Sequence, residues 1–184
     1  MIRLATPADG ERIAAIYAPN VTDRATSFEL TPPDAAEMNR RAAAVMARTP
    51  WLVAQGGDGQ VIGYAYASPH RDRHAYQWSV EVSAYVDGNA HRSGQGRALY
   101  EALFAILVAQ GFVNAYAGIT LPNPASVGFH EAMGFRRIGT YEGIGWKFGR
   151  WHDVVWLHRP LAPRLPEMQP PRPLQEVLAT LPLR

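Results

Sequence analysis

Apolar residues recur along the chain in two rhythms, and the switches between them mark out the elements. Residues 2–4 read as a short strand, and Thr6-Pro7 then supplies a cap and a proline at a first helical position. Ile13, Ile16 and Tyr17 repeat at helical spacing, which predicts a helix over about 8–18. Residues 19–30 carry no period. Thr31-Pro32 repeats the start signal, Ala35, Met38, Ala42 and Val45 carry a second helix to about Arg48, and Pro50 stops it. Strands at 51–55 and 61–67 flank Gly56-Gly57-Asp58-Gly59, a hairpin signal. A polar loop at 68–77 precedes a longer strand at 78–86. After 87–93 a strongly periodic helix runs to Gln110, and Gly111 closes it. A strand at 112–119, a short helix at 124–133 ended by Gly134, and strands at 135–142 and 152–159 complete the pattern.

The order β-α-α-β-β-β-α-β-α-β-β describes one α/β (α+β) domain over 1–160: a mixed, mostly antiparallel central sheet flanked by helices. Seven of the fifteen prolines fall in 160–184. Residues 161–184 therefore read as a proline-rich tail or arm outside the core. Its Pro-x-x-Pro spacings suit a polyproline-recognition module, but an extended segment lying on this protein or a second copy is the simpler reading.

Composition narrows the class. Of 184 residues, 47% are apolar or aromatic and 18% charged, too apolar for a disordered chain and enough for one substantial core. No apolar run approaches the roughly 18 residues that span a bilayer. The N-terminus enters a strand directly, without the basic and apolar regions of a signal peptide, so a cytoplasmic setting is expected. The absence of cysteine excludes disulfides, thiolate metal sites and a cysteine nucleophile. Net charge is +2 and no basic block exceeds two adjacent residues, which argues against a nucleic-acid partner. In Trp151-His152-Asp153 the histidine and aspartate point to opposite faces of a strand. The other histidines show no ligand spacing, so no metal is expected.

Three stretches carry candidate chemistry. His91-Arg92-Ser93-Gly94-Gln95-Gly96-Arg97-Ala98 lies between a strand and a long helix. Glycines there let a ligand approach the backbone, and free N–H groups at a helix start favour an anion. It is not a Walker loop, and Leu99 stands where a dinucleotide fingerprint wants glycine or alanine. A pyrophosphate site and an ordinary glycine-rich turn both remain open. In 78–86 one face is apolar and the other carries Ser79, Glu81, Ser83 and Tyr85. Glu81 is either a solvated carboxylate on a half-buried strand or a base. Asn123, Ser126 and His130 share one helical face, as caps and a packed histidine or as site residues.

Together these segments resemble the phosphinothricin N-acetyltransferase family of the GNAT acetyltransferase superfamily. The resemblance is carried in order by Pro50-Trp51-Leu52-Val53-Ala54, Gly63-Tyr64-Ala65-Tyr66-Ala67, Arg73-His74-Ala75-Tyr76 and residues 78–86. It continues through the glycine loop, Leu121-Pro122-Asn123-Pro124-Ala125-Ser126, His130-Glu131-Ala132-Met133-Gly134-Phe135 and Gly149-Arg150-Trp151-His152-Asp153-Val154, covering nearly the whole chain.

The resemblance implies the GNAT acyl-CoA N-acyltransferase fold, acetyl-CoA as cosubstrate, a small amine as acceptor and a homodimer. It makes Glu81 the general base and sets His130 near the acyl-transfer centre as a second catalytic candidate. The backbone of Ala84, Tyr85 and Val86 would hold the pantetheine like an added strand and polarise the thioester carbonyl. Arg92, Ser93, Gly94, Gln95, Gly96, Arg97 and Ala98 would hold the pyrophosphate, with Asn123 and Ser126 also on the cofactor. Arg73 and Tyr76 would meet an acceptor carboxylate, and Phe28 would wall the acceptor pocket. Without cysteine, direct attack of the amine in a ternary complex is the economical mechanism. The expected acceptors are phosphinothricin, methionine sulfoximine or methionine sulfone. The alternatives are another amine (an aminoglycoside, a polyamine or a protein N-terminus) or an acyl-CoA sensor without turnover. The pocket loops depart most from the family: His70 stands where relatives carry an aromatic residue, and Phe148 where they carry histidine.

Overall fold

The computed structural model describes residues 1–90 and 93–181. Its seven strands are β1 (Ile2–Leu4), β2 (Trp51–Gln55), β3 (Val61–Pro69), β4 (Ser79–Val86), β5 (Asn114–Thr120), β6 (Arg136–Lys147) and β7 (Arg150–Pro160). They form one sheet in the order β1-β2-β3-β4-β5-β7-β6, in which only β4 and β5 run parallel. The helices are α1 (Gly10–Thr22), α2 (Ala35–Met46), α3 (Gln95–Gln110), α4 (Pro124–Ala132) and α5 (Leu174–Leu178).

Strand alternation divides the core in two. Trp51, Val53 and Tyr64 pack with Ile13, Ile16 and Met38 of α1 and α2. Leu52, Ala65, Val80 and Val82 pack with Leu99, Leu103 and Leu107 of α3 on the other face. Burial on both faces explains why β2 is almost continuously apolar. Gly111 closes α3 at φ 99°, a conformation that favours glycine. No described helix is long and apolar enough to cross a membrane.

Several boundaries differ from the sequence reading, and four are instructive. Helix α1 continues past Pro19, which sits in its last turn and removes a single backbone donor there. Helix α2 starts three residues after the Thr31-Pro32 signal, because Asp34 is the cap: its carboxylate accepts the Glu37 N–H at 2.8 Å. Strands β6 and β7 run on to a two-residue turn at Phe148-Gly149, with φ of 50° and 72°. Gly143 and Gly145, just past the expected strand end at 142, belong to a register shift within β6.

The expectation of a tail outside the core is corrected. Leu174 and Val177 of α5 are buried in the α3-side core. The extended proline segment before α5 is tied down on the way. Trp78 Nε1 donates to the Gln169 carbonyl at 2.8 Å, and Gln110 Nε2 donates to the Arg172 carbonyl at 3.0 Å. Proline count reads the extended path correctly but hides a Leu-x-x-Val pair at helical spacing.

Candidate active site

The site begins where two strands part. The parallel β4–β5 ladder pairs Ser79, Val80 and Glu81 with Asn114, Ala115 and Tyr116 and then ends. Both strands continue, each paired only on its outer side, β4 with β3 and β5 with β7. The facing backbone edges of 82–85 and 117–120 are left open to an added extended chain.

Two cavities meet in this opening. One is lined by Ala84, Tyr85, Ala117, Ile119, Asn123, Ser126 and His130. The other, about 290 Å³, is lined by Phe28, Tyr66, Ser68, Glu81, Val154 and Trp156. They share Thr26, Val82, Ser83, Gly118 and Thr120. Glu81 thus lies where the strands diverge, opposite Ser68 in the β3–β4 register. One of its oxygens accepts from His70 Nδ1 at 3.0 Å and from the Arg71 guanidinium at 3.1 Å.

The glycine loop is described from Ser93 onward; Arg92 and His91 lie outside the described residues. Gly94 holds φ 81° as the N-cap of α3 and, as a glycine, brings no side-chain cap to the helix start. A Cβ at Gly94 would meet open space, so the glycine serves the backbone conformation. Arg97 reaches Glu101 at 3.7 Å on the exposed helix surface.

Asn123 caps α4, its side-chain oxygen accepting the Ser126 N–H at 3.1 Å. His130 is buried, and both ring nitrogens are engaged. Nδ1 stands 2.8 Å from the Ser126 carbonyl, which can only accept, so Nδ1 carries the proton. Nε2 then accepts from Tyr100 Oη at 2.9 Å. Burial lowers the His130 pKa, favouring the neutral ring.

The segment 23–30 that supplies Thr26 and Phe28 is fastened from β6. Lys147 Nζ donates to the carbonyls of Val21, Ser27 and Glu29 at 2.6, 2.7 and 2.8 Å. The Phe28 ring lies directly over Gly145, where any Cβ would overlap it. Tyr76 approaches the His70 ring at 5.9 Å, but it and Arg73 are both exposed and neither lines either cavity. His152 and Asp153 do diverge: the imidazole donates to the Lys147 carbonyl, and the carboxylate accepts from the Gly143 N–H.

The sequence reading did not single out Thr26, Tyr66, Gly118, Thr120 or Trp156 as lining residues. Alternation does place Tyr66 and Ser68 on one strand face, but their alignment with Glu81 depends on a register that only pairing reveals.

A parted pair of parallel strands, a glycine-led helix start and a carboxylate on the adjoining wall are the arrangement that the resemblance to acyl-CoA-dependent N-acyltransferases leads one to expect. The comparisons agree. The family described as an acetyltransferase (GNAT) domain matches residues 2–156. A phosphinothricin N-acetyltransferase of Streptomyces viridochromogenes is 39% identical over 176 residues, covering 96% of this chain and 93% of the relative. An L-methionine sulfoximine/L-methionine sulfone acetyltransferase of Pseudomonas aeruginosa is 36% identical, covering 88% and 95%. The crystal structure of a phosphinothricin acetyltransferase from Sinorhizobium meliloti with AcCoA superimposes with a TM-score of 0.85 at 36% identity, covering 92% and 95%. The chain belongs to the GNAT acetyltransferase family. It is an acetyl-CoA-dependent N-acetyltransferase.

Proposed function

We propose that this enzyme acetylates the primary amine of a small amino-acid-like acceptor, of the phosphinothricin, methionine sulfoximine or methionine sulfone type, within a ternary complex. The observation that carries this reading is the pair of cavities joined at Val82, Ser83, Gly118 and Thr120, which lets two ligands meet without a covalent enzyme intermediate. The names of the relatives support the acceptor class.

When bound, acetyl-CoA supplies an activated thioester carbonyl. Backbone of 84–86 would hold and polarise it, residues 93–98 with Arg92 would hold the pyrophosphate, and Asn123 and Ser126 would flank the pantetheine. Glu81, directly or through one water, takes a proton from the acceptor ammonium and frees the nitrogen lone pair. His130, with both nitrogens engaged, acts by positioning Ser126 and Tyr100 rather than by moving a proton. Phe28 walls the acceptor, and Arg73 with Tyr76 closes on its carboxylate. We also infer a homodimer, supported by Ile144, Trp146, Phe148 and Trp151 on the exposed β6–β7 hairpin, each more than half exposed. Light scattering of wild type against Trp151→Lys tests it.

The deciding assay is thiol release with an amine panel: the three amino acids, an aminoglycoside, a polyamine and a peptide N-terminus. Turnover with the amino acids, reduced about 10²-fold in Glu81→Gln, supports the reading. Preferred turnover of another amine overturns the acceptor class.

A further inference from the structure

Glu81 Oε1 receives both of the hydrogen bonds that the carboxylate makes among the described residues. Its two donors differ in kind. Arg71 is nearly half exposed and reaches in on a flexible stem, the sort of pair that contributes little. His70 is largely buried, with 17% of its side chain exposed. Facing a carboxylate oxygen at 3.0 Å, its Nδ1 is the donor.

The imidazole is also held in plane by its neighbours. It stacks on Tyr116 with centroids 4.6 Å apart and 21° between planes, and meets the Trp156 ring at 6.0 Å and 82°. Tyr116 in turn packs on His158 at 4.9 Å, and the His158 imidazole is fixed by its Nε2 bond to Asn114 Oδ1 at 3.0 Å. A column of three rings, anchored at its far end by a hydrogen bond, therefore sets the direction of the His70 N–H. The register sets the other half: Ser68 opposes Glu81, so His70 leaves the end of β3 beside the carboxylate.

We propose that His70 is a positioning residue for Glu81. It pins Oε1, and so presents Oε2 as the oxygen that receives the acceptor's proton. The balance is simple: the ammonium N–H bond breaks, an O–H bond forms at Oε2, and the nitrogen keeps its electron pair. The inference rests on Glu81 being the base. It assigns to an imidazole a position where the family resemblance expects another kind of aromatic ring.

A double-mutant cycle tests it. His70→Phe retains a ring for the column and removes the donor; His70→Asn restores an N–H near the place of Nδ1. With saturating acetyl-CoA, His70→Phe should lower kcat about tenfold while the acetyl-CoA KM stays within about twofold, and His70→Asn should recover most of the loss. In a Glu81→Gln background the same His70→Phe change should alter kcat by less than about twofold, because the group it positions is gone. Equal losses from His70→Phe in both backgrounds, or wild-type kcat in His70→Phe, overturn the proposal while leaving Glu81 as base. Wild-type kcat in Glu81→Gln alone removes the base, and the proposal with it.

Discussion

Lys147 Nζ donates to the Ser27 carbonyl at 2.7 Å, and the chain's only lysine is thereby spent on the backbone of the segment that lines the acceptor cavity. The Val21 and Glu29 carbonyls complete its three donors, and the ammonium is nearly inaccessible, at 4% residue exposure. Burial lowers its pKa, and Glu29 opposes that. Segment 23–30 has no secondary structure of its own to fix Thr26 and Phe28. The cation does that work from β6.

Lys147→Met should therefore act on one substrate. Leaving buried carbonyls unpaired costs about 1–3 kcal/mol, or a melting-temperature loss of roughly 2–12 °C. The acceptor KM should rise at least about fivefold, with acetyl-CoA KM unchanged. A lower melting temperature with an unchanged acceptor KM would mean that 23–30 does not shape the acceptor pocket.

Gly145→Ala probes the same wall from the other side. The added Cβ overlaps the Phe28 ring, so the ring must tilt away from its present place. Overpacking of this kind costs about 1–3 kcal/mol. Steady-state kinetics should show a raised acceptor KM in Gly145→Ala, and Phe28→Ala in that background should add little further loss. Full additivity would separate Phe28 from the acceptor.

The strand and helix sequence was legible because burial repeats along the chain, as in Ile13, Ile16 and Tyr17 or in Val80 and Val82. The glycine turn before α3 was legible because a positive φ such as that of Gly94 favours glycine. Less readable was anything set by distant pairing. Nothing local connects Lys147 to carbonyls about 120 residues away, or tells that His70 will stand beside Glu81. Leu174 and Val177 were lost for a different reason, since abundant proline masks a short helix. Pro19 failed as a stop because a helix tolerates proline where few further bonds depend on it.

Acid should destabilise the fold through its buried imidazoles. Burial lowers the His130 pKa, and burial with Arg164 and Arg136 lowers that of His158. Below the ordinary value near 6.5, the unfolded chain binds protons that the native state does not, so stability falls as pH drops through that window. Above it these residues add no slope. Urea titrations at pH 7.5 and 5.5 should show the loss, at no more than about 1.4 kcal/mol per pH unit for each histidine. His130→Phe should be less stable at pH 7.5, because Tyr100 Oη and the Ser126 carbonyl lose their partner, yet decline less on acidification. An identical decline in the variant would remove His130 from the effect.

Arg73 is the sharpest test of acceptor class, because its guanidinium is exposed and has no acidic partner among the described residues. Its carbonyl accepts the Tyr76 N–H at 2.9 Å, so one short turn carries both residues expected on the acceptor carboxylate. If Arg73 closes on that carboxylate, truncation removes a charge-assisted bond worth about 1.5–3 kcal/mol. Arg73→Ala should then reduce kcat/KM for phosphinothricin or methionine sulfone by roughly ten- to a hundredfold. It should also erase most of the preference for each acid over its carboxyl methyl ester, since the ester offers no full charge at that position. Arg73→Lys should recover only part, lacking the planar fork. Acetyl-CoA affinity by calorimetry is the control and should be constant throughout. Equal losses on acid and ester, or no preference in the wild type, would sink the amino-acid reading and turn attention to a neutral or cationic amine.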